Sequence, residues 1–299
     1  MLAWDFFLDE VDMTFSQVLA PDFWKSLNPT LHVNDQAFVS AVRAFDVDPR
    51  TREVFHQQLV EEGYFQFFVP PKQWQISLDA MAQAVRSLLP LQLVPTFAFV
   101  YDEFWLAYAA QARILSTFLG ENYWMLPDFW VWHVDPQKGE SGWGPHRDKG
   151  RMALYPEGTP KSLTVWIPLT NAIPMNGCMY IVPANRDQTY NTENEDVWKF
   201  DYPDIRALPA RPGHVLYWNQ AVVHWGSRTS RFIDEPRISV AFEFQRADVE
   251  PFNQPLLNPR QLPSFDARLK LIAKQILQYT HMYPLSPELE RFARGLLAG

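Results

Sequence analysis

The chain has a single cysteine, Cys178, among its 299 residues. An internal disulfide is excluded, and the reducing cytoplasm is the expected location. Such a compartment would also keep iron ferrous. No run of apolar residues reaches the length of a membrane span, so none is expected. The N-terminus, Met1-Leu2-Ala3-Trp4-Asp5, carries an acid where a secretory leader has basic residues, which argues against secretion. Positive charge is scarce: 26 Lys and Arg stand against 34 Asp and Glu, for a net charge of −8. Broad phosphate-backbone binding needs a basic face, so no nucleic-acid partner is expected. Internal repeats and low-complexity tracts are also lacking.

What is present is apolar and aromatic. Hydrophobic residues make up 47% of the chain, enough to bury a large core, and twelve of its residues are tryptophan. Twenty-five prolines are spread along it, as in a loop-rich β protein. Residues 1–50 read as an N-terminal arm with weak helical signals. Residues 51–127 read as a helical flank, with helices over Thr51–Glu62, Gln73–Leu89 and Glu103–Leu119 and a strand over Tyr64–Val69. Strands then follow at Asp128–Val134, Ser162–Leu169, Cys178–Val182, His214–Trp218 and Arg237–Gln245, a β portion spanning 128–246. Phe265–His281 and Pro287–Leu297 read as closing helices within 247–299, which can cap the core or pair with a second copy as a homodimer. Spaced strands with turn signals predict a sandwich or barrel. A double-sheet jelly roll would set inward side chains around a central cavity.

The chemistry concentrates in His146-Arg147-Asp148, His224 and Arg237-Ile238-Ser239. Residues i and i+2 of an extended segment share a face, so His146 and Asp148 can bind one ion together. With His224 they make two imidazoles and a carboxylate, the facial set of non-haem Fe(II) oxygenases, which leaves coordination positions open. Arg237, Ser239, Ala241 and Glu243 alternate with Ile238, Val240, Phe242 and Phe244, so Arg237 and Ser239 share one strand face. A guanidinium fork beside a hydroxyl suits the carboxylate of a keto-acid co-substrate. Each residue has a plainer reading: a surface pair, a core histidine, an ion pair of Arg237 with Glu243 or Glu235. His133-Val134-Asp135 is a second His-x-Asp, and His214 a further histidine. Arg228 and Arg231 compete with Arg237.

Between Arg52 and Gln245 the chain resembles the phytanoyl-CoA dioxygenase family of Fe(II)/2-oxoglutarate oxygenases. The carriers are Gly63-Tyr64-Phe65, His146-Arg147-Asp148, Leu163 to Leu169, Asn176-Gly177-Cys178 with Val182-Pro183, Pro212-Gly213, and His224 with Arg237. Ala184-Asn185-Arg186 departs from the family's usual residues after this proline, and Phe232–Pro236 lengthens the gap to the arginine. The resemblance implies a mainly β fold: a double-stranded β-helix (jelly-roll, cupin-like) core with flanking α-helices in a single oxygenase domain. It implies Fe(II) on His146, Asp148 and His224, 2-oxoglutarate on Arg237, with Ser239 and Trp166 beside it, and O2 as the second co-substrate. In related halogenases a small residue replaces the carboxylate ligand; Asp148 therefore favours hydroxylation, desaturation or ring formation.

The expected reaction is oxidation of an unactivated C–H bond of a small organic substrate, with succinate and CO2 as co-products. Trp132, Trp143 and Trp198 are candidate substrate-facing residues. The long acidic segment 186–211, holding Trp198, Phe200 and Tyr202, is a candidate lid. Two other classes stay open: a cupin-like metal enzyme that does not use 2-oxoglutarate, and a non-catalytic small-molecule binding protein on the same fold.

Overall fold

A computed structural model describes residues 15–283 and 285–298. The first fourteen residues of the expected N-terminal arm lie outside the described residues. Short helices α1 (Phe15–Val18), α2 (Pro21–Leu27) and α3 (Gln36–Ala41) open the described chain. Helix α4 (Pro49–Glu61) starts where Asp48 accepts from Thr51 N at 3.0 Å and Pro49 takes the first turn. Strand β1 (Tyr64–Phe68) and helix α5 (Leu78–Leu88) follow. The single helix expected over 103–119 is two, α6 (Asp102–Ala109) and α7 (Ala112–Leu119). The break falls at Gln111, whose buried side chain accepts from the Tyr217 hydroxyl at 2.9 Å.

The remaining strands are β2 (Tyr123–Val134), β3 (Ser162–Pro168), β4 (Met179–Ile181), β5 (Arg206–Leu208), β6 (His214–Asn219), β7 (His224–Gly226) and β8 (Arg237–Arg246). All pairings are antiparallel. One sheet has the order β1-β6-β3-β8-β2 and the other β5-β4-β7. Helices α8 (Phe265–Gln278) and α9 (Pro287–Ala298) close the chain. Antiparallel sheets with flanking helices agree with expectation, but "mainly β" is not confirmed: helices hold more residues than strands, because the flank is helical from α1 to α7. The segment expected as an uninterrupted lid, 186–211, contains β5, which pairs with β4; the open loop is shorter, ending before Arg206.

Strand β8 sits between β3 and β2 and is buried on both faces. Its outward Phe242 packs on Phe99, Trp105 and Tyr108 of the helical layer. Its inward residues face the second sheet. A fully buried ion pair, Arg268 to Asp102 at 2.6 Å, ties α8 to the helical flank. Such a pair contributes position more than net stability, since desolvation offsets much of the attraction. Past α8, Tyr279 reaches back to Trp130 of β2, ring centroids 4.2 Å apart. The C-terminal segment therefore caps the core, one of the two arrangements expected for it.

Candidate active site

His146 and His224 are partners across two extended segments. His146 N donates to His224 O at 3.1 Å, and His224 N returns the bond at 2.9 Å. This pairing puts the two rings side by side, 4.4 Å apart. Asp148, two residues on, faces the same way. Its Oδ1 lies 3.4 Å from Nε2 of His146 and 3.4 Å from Nε2 of His224. The three ligand atoms fall within 4.8 Å of one another, the one such constellation among the described residues.

Each ligand is oriented by its other atom. His146 Nδ1 lies 2.8 Å from Gly144 O, and His224 Nδ1 lies 3.2 Å from Val222 O. A proton held there leaves Nε2 with its lone pair toward the ion. Asp148 Oδ2 accepts from Thr164 Oγ1 at 2.8 Å and Trp218 Nε1 at 3.0 Å, freeing Oδ1. Burial pushes the His224 imidazole down to about 4 against the pull of Asp148, so its Nε2 is unprotonated near neutrality. Burial would raise the Asp148 carboxyl, but His224, His146 and Lys149 outweigh it and hold the group far below the usual range. His146 Nε2 is buried without a hydrogen-bond partner. An orphaned, correctly facing imidazole nitrogen beside an ionised carboxylate fits a divalent transition-metal ion.

Arg237 lies in the same cavity at 1% exposure. Burial pushes its guanidinium down to about 10. Nη1 donates to Ser239 Oγ at 3.1 Å, Nε has no partner, and among the described residues no carboxylate pairs with it. A buried cation without a counter-ion is costly unless an anion joins it. Trp166 lies beside it, the guanidinium 6.0 Å from the ring centroid. Room for the fork comes from Gly142 and Gly226: a Cβ on either would come within 2.9 Å of the other's Cα and within 3.3 Å of Arg237 Nη2. The alternatives fall away by position. Arg228 and Arg231 are exposed, and Glu243 and Glu235 bond to Lys149 and Asn171 instead of Arg237. His133-Val134-Asp135 and His214 assemble with no third ligand among the described residues.

The cavity between the two sheets has a volume of about 30 Å³. Trp132 and Trp143 line it, as expected for substrate-facing residues, together with Trp130, Trp218 and Glu243. Alternation on β2, β6 and β8 carries these last three to inward faces; of them only Glu243 stands out in the sequence, on the face of Arg237 and as its alternative partner. Trp198 does not line the cavity. It is 46% exposed and borders an outer polar groove that also reaches His146, Asp148 and Glu195. Arg147, facing away from the cavity, holds this loop to the ligand segment through Asp187 and Glu195 O. Lys149 is a mostly buried partner of Glu243.

Comparison with solved structures gives low identity and a shared fold. The non-heme monooxygenase ThoJ, solved as a nickel complex, aligns with a TM-score of 0.55 at 13% identity, over 79% of this chain and 98% of its own. The epimerase SnoN, in complex with Fe3+, alpha ketoglutarate and nogalamycin RO, aligns with a TM-score of 0.51 at 18% identity, over 73% of this chain and 96% of its own. No curated protein matches the chain. Among the described residues no helix is long and apolar enough to cross a membrane. Residues 90–232, which contain His146, Asp148 and His224, match the family model of phytanoyl-CoA dioxygenase (PhyH).

Proposed function

We propose that the chain is an Fe(II)/2-oxoglutarate-dependent dioxygenase that hydroxylates an unactivated C–H bond of a small organic substrate. The two sheets are, in this reading, the halves of a double-stranded β-helix. The observation that carries the proposal is the pairing of two fitted sites in one cavity: an oriented His146–Asp148–His224 set and a buried guanidinium with no counter-ion. A metal enzyme that makes no use of 2-oxoglutarate has no need of the second. The SnoN structure holds Fe3+ and alpha ketoglutarate, which supports the same choice here.

Iron held on Nε2 of His146, Nε2 of His224 and Oδ1 of Asp148 would supply the oxygen chemistry, coupling oxidative decarboxylation of the keto acid to C–H oxidation. The protein's own residues do the rest. Arg237 and Ser239 bind the far carboxylate of 2-oxoglutarate, and Trp166 packs beside it. Thr164 and Trp218 keep Asp148 turned so that one oxygen stays free. Trp132, Trp143 and neighbouring indoles form a dry wall against which a substrate is oriented and from which water is excluded. The loop carrying Trp198 closes the outer groove as a lid.

The test is direct. Protein loaded anaerobically with Fe(II) and 2-oxoglutarate is exposed to O2, and succinate is measured. Succinate formation that requires iron and is lost in Arg237→Ala is expected. Absence of both 2-oxoglutarate binding and succinate in the wild type would overturn the reading.

A further inference from the structure

The inward face of β8 carries a charge at each end. Arg237 stands at one, Glu243 at the other, and both line the cavity. A strand covers about 20 Å between residues this far apart. Register places Glu243 opposite Thr164, and Thr164 opposite Trp218, the two residues that hold Asp148. The metal ligands therefore meet the cavity near its acidic end, and the anion site lies at the far one. With Arg237 assigned to the co-substrate, Glu243 is left for the substrate.

Glu243 is 5% exposed. Lys149 Nζ donates to its Oε2, and no group among the described residues donates to Oε1. Lys149 is not part of the cavity lining; its ammonium lies 5.9 Å from the Phe252 ring. The ion pair fixes the carboxylate and opposes the burial that pushes its carboxyl up to about 7, and the cavity meets a carboxylate oxygen in preference to the ammonium.

Indoles line the cavity beside β8: Trp130 lies opposite Ala241, the inward neighbour of Glu243, and Trp132 opposite Ser239, toward Arg237. Trp143 stands across Trp130 at 75° with centroids 4.5 Å apart, and across Trp132 at 87° and 6.2 Å. Trp143 is itself fixed from behind, its Nε1 donating to Met282 Sδ of the C-terminal segment. Indole faces set at right angles beside a carboxylate suit an organic cation, which gains from the ring quadrupoles and the charge together. A neutral apolar ligand would leave Oε1 buried without a donor, and an anion would be repelled.

We propose that the substrate carries a cationic nitrogen, an ammonium or alkylammonium group, received by Glu243 Oε1 between the tryptophan walls. The proposal rests on the reading that Arg237 binds the co-substrate. The test uses protein loaded anaerobically with Fe(II) and 2-oxoglutarate in a calorimeter. The probes are choline and n-butylammonium, each beside a neutral counterpart of the same shape, the carbon isostere of choline and n-butanol. The cations are expected to bind at least about tenfold more tightly than their counterparts, the size of one charge-assisted hydrogen bond. That preference is expected to vanish in Glu243→Gln, whose 2-oxoglutarate binding, read in the same cell, verifies an intact cavity. Equal binding of cations and neutral counterparts, no cation binding, or a preference that survives Glu243→Gln would each overturn the proposal. If the variant does not fold, the wild-type comparison decides alone. Failure of 2-oxoglutarate to bind the iron-loaded wild type would overturn the co-substrate reading instead, whatever the ammonium ions do.

Discussion

Replacing Thr164 by valine exchanges one hydroxyl for a methyl beside the candidate metal ligands. Thr164 Oγ1 gives Asp148 Oδ2 one of its two hydrogen bonds, 2.8 Å long; Trp218 Nε1 gives the other at 3.0 Å. A bond to a charged acceptor is worth about 1.5–3 kcal/mol, and Trp218 still restrains the carboxylate in the variant. The lower end of that range applies, about 1.5 kcal/mol, which is slightly more than tenfold in metal affinity. Adding Trp218→Phe frees the carboxylate altogether and should bring the loss toward a hundredfold. A second effect follows from the same hydroxyl. Gln220 Nε2 donates to it at 3.1 Å and is left without an acceptor in valine's presence, at a cost of about 1–3 kcal/mol in stability. The two effects separate experimentally. Metal affinity is read by anaerobic titration with Co(II), whose absorbance reports ligand geometry. Stability is read by thermal melting in the presence of chelator. If Thr164→Val melts as calculated yet binds Co(II) as tightly as wild type, the orienting role of this hydrogen bond is refuted.

Four other outcomes are expected. His146→Ala, Asp148→Ala and His224→Ala should each abolish iron-dependent 2-oxoglutarate decarboxylation with the fold retained, and normal decarboxylation by any of them would remove that residue from the ligand set. Arg237→Ala should raise the half-saturating 2-oxoglutarate concentration about 10- to 100-fold, from a lost charged hydrogen bond of about 1.5–3 kcal/mol, while Co(II) affinity stays level; the reverse pattern would make Arg237 structural. Trp198→Ala should increase succinate formed without product, and an unchanged ratio of succinate to product would show that the loop does not act as a lid. Cys178, whose thiol burial pushes up to about 11, should stay unmodified by thiol reagents at pH 8 in the native protein and react on unfolding; rapid native labelling would contradict its burial.

The sequence made the ligand set legible because its parts are local or periodic. His146 and Asp148 are a two-residue pattern, and Arg237 with Ser239 follow the alternation of one strand. The cross-pairing of His146 with His224 was not legible, since no local signal reports which distant segments lie side by side. Neither was the hold on Asp148: Thr164 and Trp218 look like ordinary inward residues of strands until register sets them opposite each other. Helical signals located the helix expected over Thr51–Glu62, which begins two residues earlier, at Pro49 after the Asp48 cap. They failed at Gln111, where a buried hydrogen bond to Tyr217 interrupts a pattern that runs on unbroken in the sequence. Lys149 shows the limit for charge. A lysine beside a motif reads as solvated, and only tertiary packing shows that Glu243 has taken it inside.

The position of β8 bears on how the molecule comes into being. It is the last strand to leave the ribosome, yet it enters the middle of its sheet, with β3 on one side and β2 on the other. Until it arrives, β2 has no neighbour in that sheet among the described residues, where its one ladder is with β8. A growing chain can already have made both histidines and the aspartate while the wall of their cavity is still missing. Contacts spanning so much sequence close slowly. A nascent chain stalled short of residue 237 would thus hold metal-binding side chains on an open sheet edge, where pairing with another chain competes with the native strand. Completing the sheet and enclosing the site are one event, and it waits for β8.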